Sequence, residues 1–245
     1  MRRGMAAMTS LLLMTTLTGC VETTQQKSAR AKLTADRLLA TQQPVQVTRT
    51  NPQVSVTGLA VLRHDHTTAF AVTLHNGARG VVSDLPISVG LSTRAGHRDY
   101  LNRQANLPYF QTHVGAIAAG DSTTWVFAQR VPVPSGGQPF ALVGLPSVTD
   151  QAGVTRLPRL TSTLTAARSK AGDTVVTATI TNHSGVPQLG LAVYASALSA
   201  GRLLAAGQTS VAQLNAHSSV TVAVSLVGDP GGAAAQLDTP PTNLR

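Results

Sequence analysis

From residue 53 onward, apolar residues fall at alternate positions in short runs, broken roughly every ten residues by clusters of Gly, Asn, Asp or Ser. That period constrains the fold more than any other feature. Successive side chains of a strand point to opposite faces, so this alternation marks half-buried strands. Ten stretches fit: 54–62, 67–75, 85–93, 123–131, 140–148, 160–167, 173–181, 189–198, 203–211 and 219–227. Frequent Val and Thr suit a pleated surface. No helical period of useful length competes, so the reading is an all-β chain built as sandwiches.

The two halves of this region also match each other. "AFAVTLHNGARGVVSDLPISVGLST" aligns with "VVTATITNHSGVPQLGLAVYASA", and "IAAGDSTTWVF" with "LNAHSSVTVAV". Each half places an Asn (Asn76, Asn182) after a strand, then a Gly turn, then an alternating strand. The repeat is about 100 residues, which indicates two tandem domains and not a solenoid. The first is read as 53–155 and the second as 156–240, with the boundary in "DQAGVTRLPR" (150–159). The first half carries an insertion at 97–117, "HRDYLNRQANLPYFQTHVGAI".

The signature of Thr181–Asn182, Ser184–Gly185, Val193–Tyr194, Gly201–Arg202 and Ser218–Val222 resembles small bacterial immunoglobulin-like modules of the FxLYD and CARDB type. The resemblance is carried best by the second half. It implies two immunoglobulin-like β-sandwich domains with a structural or protein-binding role.

Residues 1–19 read as an export signal: Arg2 and Arg3, then the apolar stretch "MAAMTSLLLMTTLTG". The stretch is too short to span about 30 Å of hydrocarbon and has the length of a secretory core segment. It ends in "LTGC" (Leu17, Thr18, Gly19, Cys20), which holds the only cysteine in the chain. These four residues resemble the bacterial lipobox. The resemblance implies that Cys20 is lipidated, becomes the mature N-terminus and anchors the chain to a bacterial membrane from outside the cytoplasm. Two or three acyl chains hold firmly where one does not. Residues 20–52 then read as a tether, either a spacer or a short helix over 28–40 capped by Ser28.

Charge excludes one class of partner. The net charge is +9, but charged residues make up only 12% of the chain and are spread thinly. A nucleic-acid binder clusters its basic residues on one element and interleaves aromatics with them, so no nucleic-acid partner is expected.

Chemistry is sparse. Nucleophile elbows, zincin motifs, phosphate loops and paired-cysteine metal sites are missing from the sequence. The eight carboxylates after residue 50 sit mostly in turn contexts, where Asp bonds its own backbone. "RHDHT" sets His64 and His66 on one strand face with Asp65 opposite. This is a weak start for a metal site that would need His75 or His113 as further ligands, and a polar hairpin turn explains it better. No cofactor or catalytic residue is expected. Six of the eight aromatics lie between residues 100 and 140. Trp125 and Phe127 share a strand face and read as core. Arg98, Tyr100, Asn102, Arg103, Tyr109, Phe110 and His113 form the candidate partner-binding set, because Tyr and Arg dominate hot spots. The competing reading tucks these aromatics under a loop that closes the sandwich edge. The expected function is non-catalytic binding or organisation of an unknown envelope protein. The alternative is an extracytoplasmic solute- or metal-binding lipoprotein, with an enzyme less favoured.

Overall fold

The computed structural model describes residues 23–92, 95–130, 136–146, 154, 156–170 and 173–245. The signal segment, the Leu17–Thr18–Gly19 motif and Cys20 lie outside the described residues. The described chain is all-β, apart from one α-helix, α1 (Thr24–Thr41), and a single 3₁₀ turn at Tyr109–Gln111. The strands are β1 (Val54–His64), β2 (Thr67–Asn76), β3 (Leu85–Ser92), β4 (Arg98–Tyr100), β5 (His113–Val114), β6 (Ser122–Gln129), β7 (Gln138–Val143), β8 (Leu160–Lys170), β9 (Asp173–Asn182), β10 (Gln188–Ser199), β11 (Arg202–Leu214), β12 (Ser219–Gly228) and β13 (Ala235–Asp238). All ten expected strands are present. The unexpected ones, β4, β5 and β13, have four residues or fewer and are too short to show alternation.

Two sandwiches result. In the first, the sheet β1-β2-β6 faces one built around β3, which pairs with β4, β5 and β7. In the second, β8-β9-β12 faces β10-β11-β13. The two sheets join at a corner where Ala205 and Ala206 of β11 pair with Gly228 and Val227 of β12. Val176, Ala178 and Ile180 of β9 meet Val193 and Ala195 of β10 and Val224 of β12 in the second core.

The matching asparagines do the same work in both units. Asn76 is fully buried, and its amide donates to the carbonyls of Gly80, Ile117 and Ala118 while Oδ1 accepts from Ala78 N. Asn182 donates to Val186 O and Asn215 O and accepts from Ser184 N. Each side chain closes the turn after its strand and ties it to a second loop. Asp and Asn are turn formers for this reason.

The two units are not beads on a string. Four consecutive residues of β2, Ala69 to Val72, are all fully buried, so both faces of that strand are covered. The apolar cluster of the first unit includes Ala192 and Tyr194 of β10, Ala206 of β11 and Val227 of β12. The sheets therefore stack face to face, and β2 and β10 lie at the centre. Strands covered on both faces read as continuous apolar runs, which "AFAV" and "LAVYA" are.

The insertion interrupts what is a single strand in the second unit. There, β11 runs unbroken beside β10 from Ser199–Arg202 to Gln188–Leu214. In the first unit, β4 pairs with the end of β3 (Ser92–Arg98) and β5 with its start (Leu85–Val114). Asn102 fills the gap. Its Oδ1 accepts from Val89 N at 2.9 Å, and its amide donates to Ile87 O at 2.8 Å and Gln111 O at 3.1 Å. Leu101 N to Val89 O and Ile87 N to Thr112 O flank it as ordinary rungs. The side-chain amide thus stands in for a peptide group, and residues 103–111 bulge outward from the sheet.

Candidate functional site

The bulge, the segment read as a tether and the second unit meet at one place. α1 begins at Thr23, whose side chain accepts from Gln26 N while the Gln26 side chain accepts from Thr23 N. This capping box moves the helix start from the expected residue 28 to residue 24. α1 carries no apolar core face: Leu38 and Leu39 are 64% and 60% exposed, and Arg37 is its one buried residue. The remainder of the tether is also part of the body. Val47 is buried and bonds Ser88 Oγ through its N–H, and Asn51 N bonds Val143 O.

Arg37 is the pin that holds α1 down. Its guanidinium lies 3.2 Å from the Asp84 carboxylate, which is 2% exposed. It also donates to the Thr242 carbonyl and sits over the Phe110 and Tyr109 rings at 4.9 and 5.2 Å. One cation thus joins the helix, the first sandwich, the insertion and the C-terminal tail. The tail is clamped in turn by buried Gln188, whose Oε1 accepts from Thr242 N and Asn243 N and whose amide donates to Asn243 O.

Around the pin the aromatic groups are locked. Tyr109 stacks on His113 with centroids 4.0 Å apart and meets Phe110 edge-on at 5.0 Å. The Phe110 carbonyl accepts from Trp125 Nε1 at 3.0 Å and Tyr194 Oη at 3.3 Å, so it links both sandwiches. The Tyr109 phenol lies against Asp84 and Arg37 without the alignment of a full hydrogen bond, and burial pushes its pKa far up. Burial pushes His113 down to about 4, with a smaller opposing contribution from its bond to the Tyr109 carbonyl.

That depressed value gives a signed expectation. Between pH 6.5 and 4 the unfolded chain binds a proton at His113 that the folded chain refuses, so stability falls as pH falls through this window. The loss is roughly 3 kcal/mol in full. Half-buried Asp238, whose pKa is raised mainly by desolvation, contributes with the opposite sign as pH rises above its unfolded value. Urea unfolding of the wild type and His113→Gln across pH 7 to 4.5 isolates the histidine, because the variant should lose most of this slope. An equal slope in both would refute the assignment.

The expected recognition patch is divided by the fold. Asn102, Tyr109, Phe110 and His113 are buried and build the loop from within. Arg103 is exposed. Arg98 and Tyr100 belong to a separate cluster, explained by Gly90 of β3. A Cβ there would lie 2.0 Å from Asp99 O and 2.8 Å from the Phe140 ring. Tyr100 and Phe140, on the strands either side of Gly90, cover it edge-to-face at 5.2 Å, with Arg98 over Phe140 at 5.3 Å. Aromatic neighbours covering a strand glycine stabilise a sheet.

The histidines do not converge on one another, although His64, Asp65 and Asp173 each bring a ligand atom within 4.8 Å of the other two. His64, Asp65 and His66 form the β1–β2 hairpin turn. Asp65 has φ +47°, so strand alternation does not apply, and its carboxylate comes within 3.7 Å of His64 Nε2 instead of lying on the opposite face. Asp173 lies 3.4 Å from the same nitrogen. Both carboxylates are about three-quarters exposed and pair with the histidine where the units meet. His75 sits some 26 Å along β2 from the turn and bonds Ser122 Oγ, and His113 is under α1.

What remains open is a cleft of about 840 Å³ between α1, residues 106–111 and the β10–β11 face. No pattern in the sequence marks it, because its walls come from five separate segments: α1, residues 106–111, Ala128 of β6, β10 and β11.

No protein-family model matches the chain, and no curated protein matches it. Among solved structures, it is similar to Amycolatopsis orientalis exo-chitosanase CsxA at 17% identity and TM-score 0.30, over 76% of this chain and 26% of that one. It is similar to red sea bream transglutaminase at 15% identity and TM-score 0.23, over 89% and 32%. The chain therefore spans about a quarter to a third of the length of these proteins.

Proposed function

We propose that this chain is a non-catalytic binding protein, anchored by lipidated Cys20 to the outer side of a bacterial membrane, that holds another envelope component in the cleft under α1. One observation carries the reading. The cleft is assembled jointly by the segment just after Cys20, the 97–117 insertion and the second sandwich. Its size lies within the range of small-ligand sites. The titratable groups beside it are committed to each other: Arg37 to Asp84, His113 to its stack on Tyr109. They serve to fix α1, which supports holding over chemistry. Among the described residues, no helix is long and apolar enough to cross a membrane.

Two results test the proposal. Cys20→Ser should move the protein out of the lipid-labelled membrane fraction, and continued lipid labelling would overturn the anchor. A photoreactive residue at position 208, inside the cleft, should cross-link to an envelope component in intact cells.

A further inference from the structure

The cleft's lining names a class of ligand, an inference that rests on the cleft being the contact site. Asn106, Gln111, Gln208 and Ser210 all line it. Their side chains make no hydrogen bond to other protein groups among the described residues. Together they offer amide donors, amide acceptors and a hydroxyl from the bulge and from β11. Leu107 and Ala192 supply apolar wall between them.

The charges in the lining are already engaged. Arg37 is paired with Asp84, and Arg30 donates to Gln213 Oε1. No carboxylate lines the cleft. A cation would find no carboxylate in the lining, and an anion would meet only Arg30, which already has other contacts, so hexaglutamate is the comparison that tests for it. A long apolar chain would leave the four amide and hydroxyl groups without water or partner, which is costly.

We infer that the cleft binds a neutral, hydroxyl-rich ligand of saccharide type. A sugar ring combines apolar C–H faces with a rim of hydroxyls, and any amide substituent pairs with the Asn and Gln side chains. Such a ligand presents both donors and acceptors, as this lining does.

The test uses the full chain in detergent with tri-N-acetylglucosamine as the neutral probe and hexaglutamate and octanoate as charged and lipid-like comparisons. Titration calorimetry and melting curves should show binding of the sugar alone at millimolar concentration or better, with a raised melting temperature. Gln208→Ala and Gln111→Ala should each weaken it about tenfold while leaving the ligand-free melting temperature unchanged. Absence of sugar binding, tighter binding of either comparison, or unchanged affinity in both variants overturns the saccharide assignment. If the sugar fails while the cross-link from position 208 persists, the cleft is still the contact site and only the ligand class is wrong. If both fail, the reading of the cleft fails with it.

Discussion

Arg37→Ala should cost about 3–5 kcal/mol and free α1 from the body, because it removes the cation 3.2 Å from the Asp84 carboxylate in a site only 2% exposed. The cation between the Tyr109 and Phe110 rings and the donor to Thr242 O go with it. Arg37 is the helix's one buried side chain, and the contacts left to it are the half-buried Ala40 and the bond from Arg30 to Gln213. Limited proteolysis should therefore cut within 24–41 in the variant and spare the wild type. Asp84→Asn should have a similar but smaller effect, since an amide can still accept from Arg37. The double variant Arg37→Ala/Asp84→Asn should cost less than the sum of the singles, because the two residues share one interaction. A cost below about 1 kcal/mol for Arg37→Ala, or strictly additive singles, would contradict the pin.

Asn102→Ala should be the second large loss, at about 3 kcal/mol, because three backbone groups in a sealed site lose their partner. Asn102→Asp is the sharper variant. It keeps the shape and the acceptor for Val89 N but cannot donate to Ile87 O and Gln111 O when ionised. It should destabilise at least as much as Ala at pH 7. If Asp proved as stable as Asn, the side chain would be filling space and not replacing a peptide group. Denaturant midpoints at unchanged slope give the comparison.

These two residues show where reading the sequence reaches and where it stops. Strands were legible because pleat period and turn chemistry are local. Asn76 and Asn182 were legible as a pair because each bonds within a few residues of itself as well as across a loop. The all-β sandwich class follows from those features. The face-to-face stacking was written in "AFAV" and "LAVYA", apolar on both faces, but alternation elsewhere drew attention to one face only. The site was less legible. An arginine in a polar segment usually marks a solvated surface, and Arg37 meets Asp84 only after 47 residues and two strands. Tyr109 and Phe110 were singled out as contacts for a partner, and the fold buries both. Their burial comes from the first core, which includes Trp125 and Tyr194, with Arg37 lying over both rings. Of the weak metal candidates, His64 gained neighbours from a turn geometry and from Asp173 of the other unit, neither of which spacing reveals.

The central claim is that the cleft beneath α1 is where this protein holds its ligand. The most direct measurement is photo-cross-linking in intact cells from position 208 inside the cleft, compared with position 164 on β8, where Leu164 is 39% exposed on the far sheet. The account predicts an adduct from 208 that disappears when Arg37→Ala releases the helix, and none from 164. An adduct from 164 with none from 208 would contradict it.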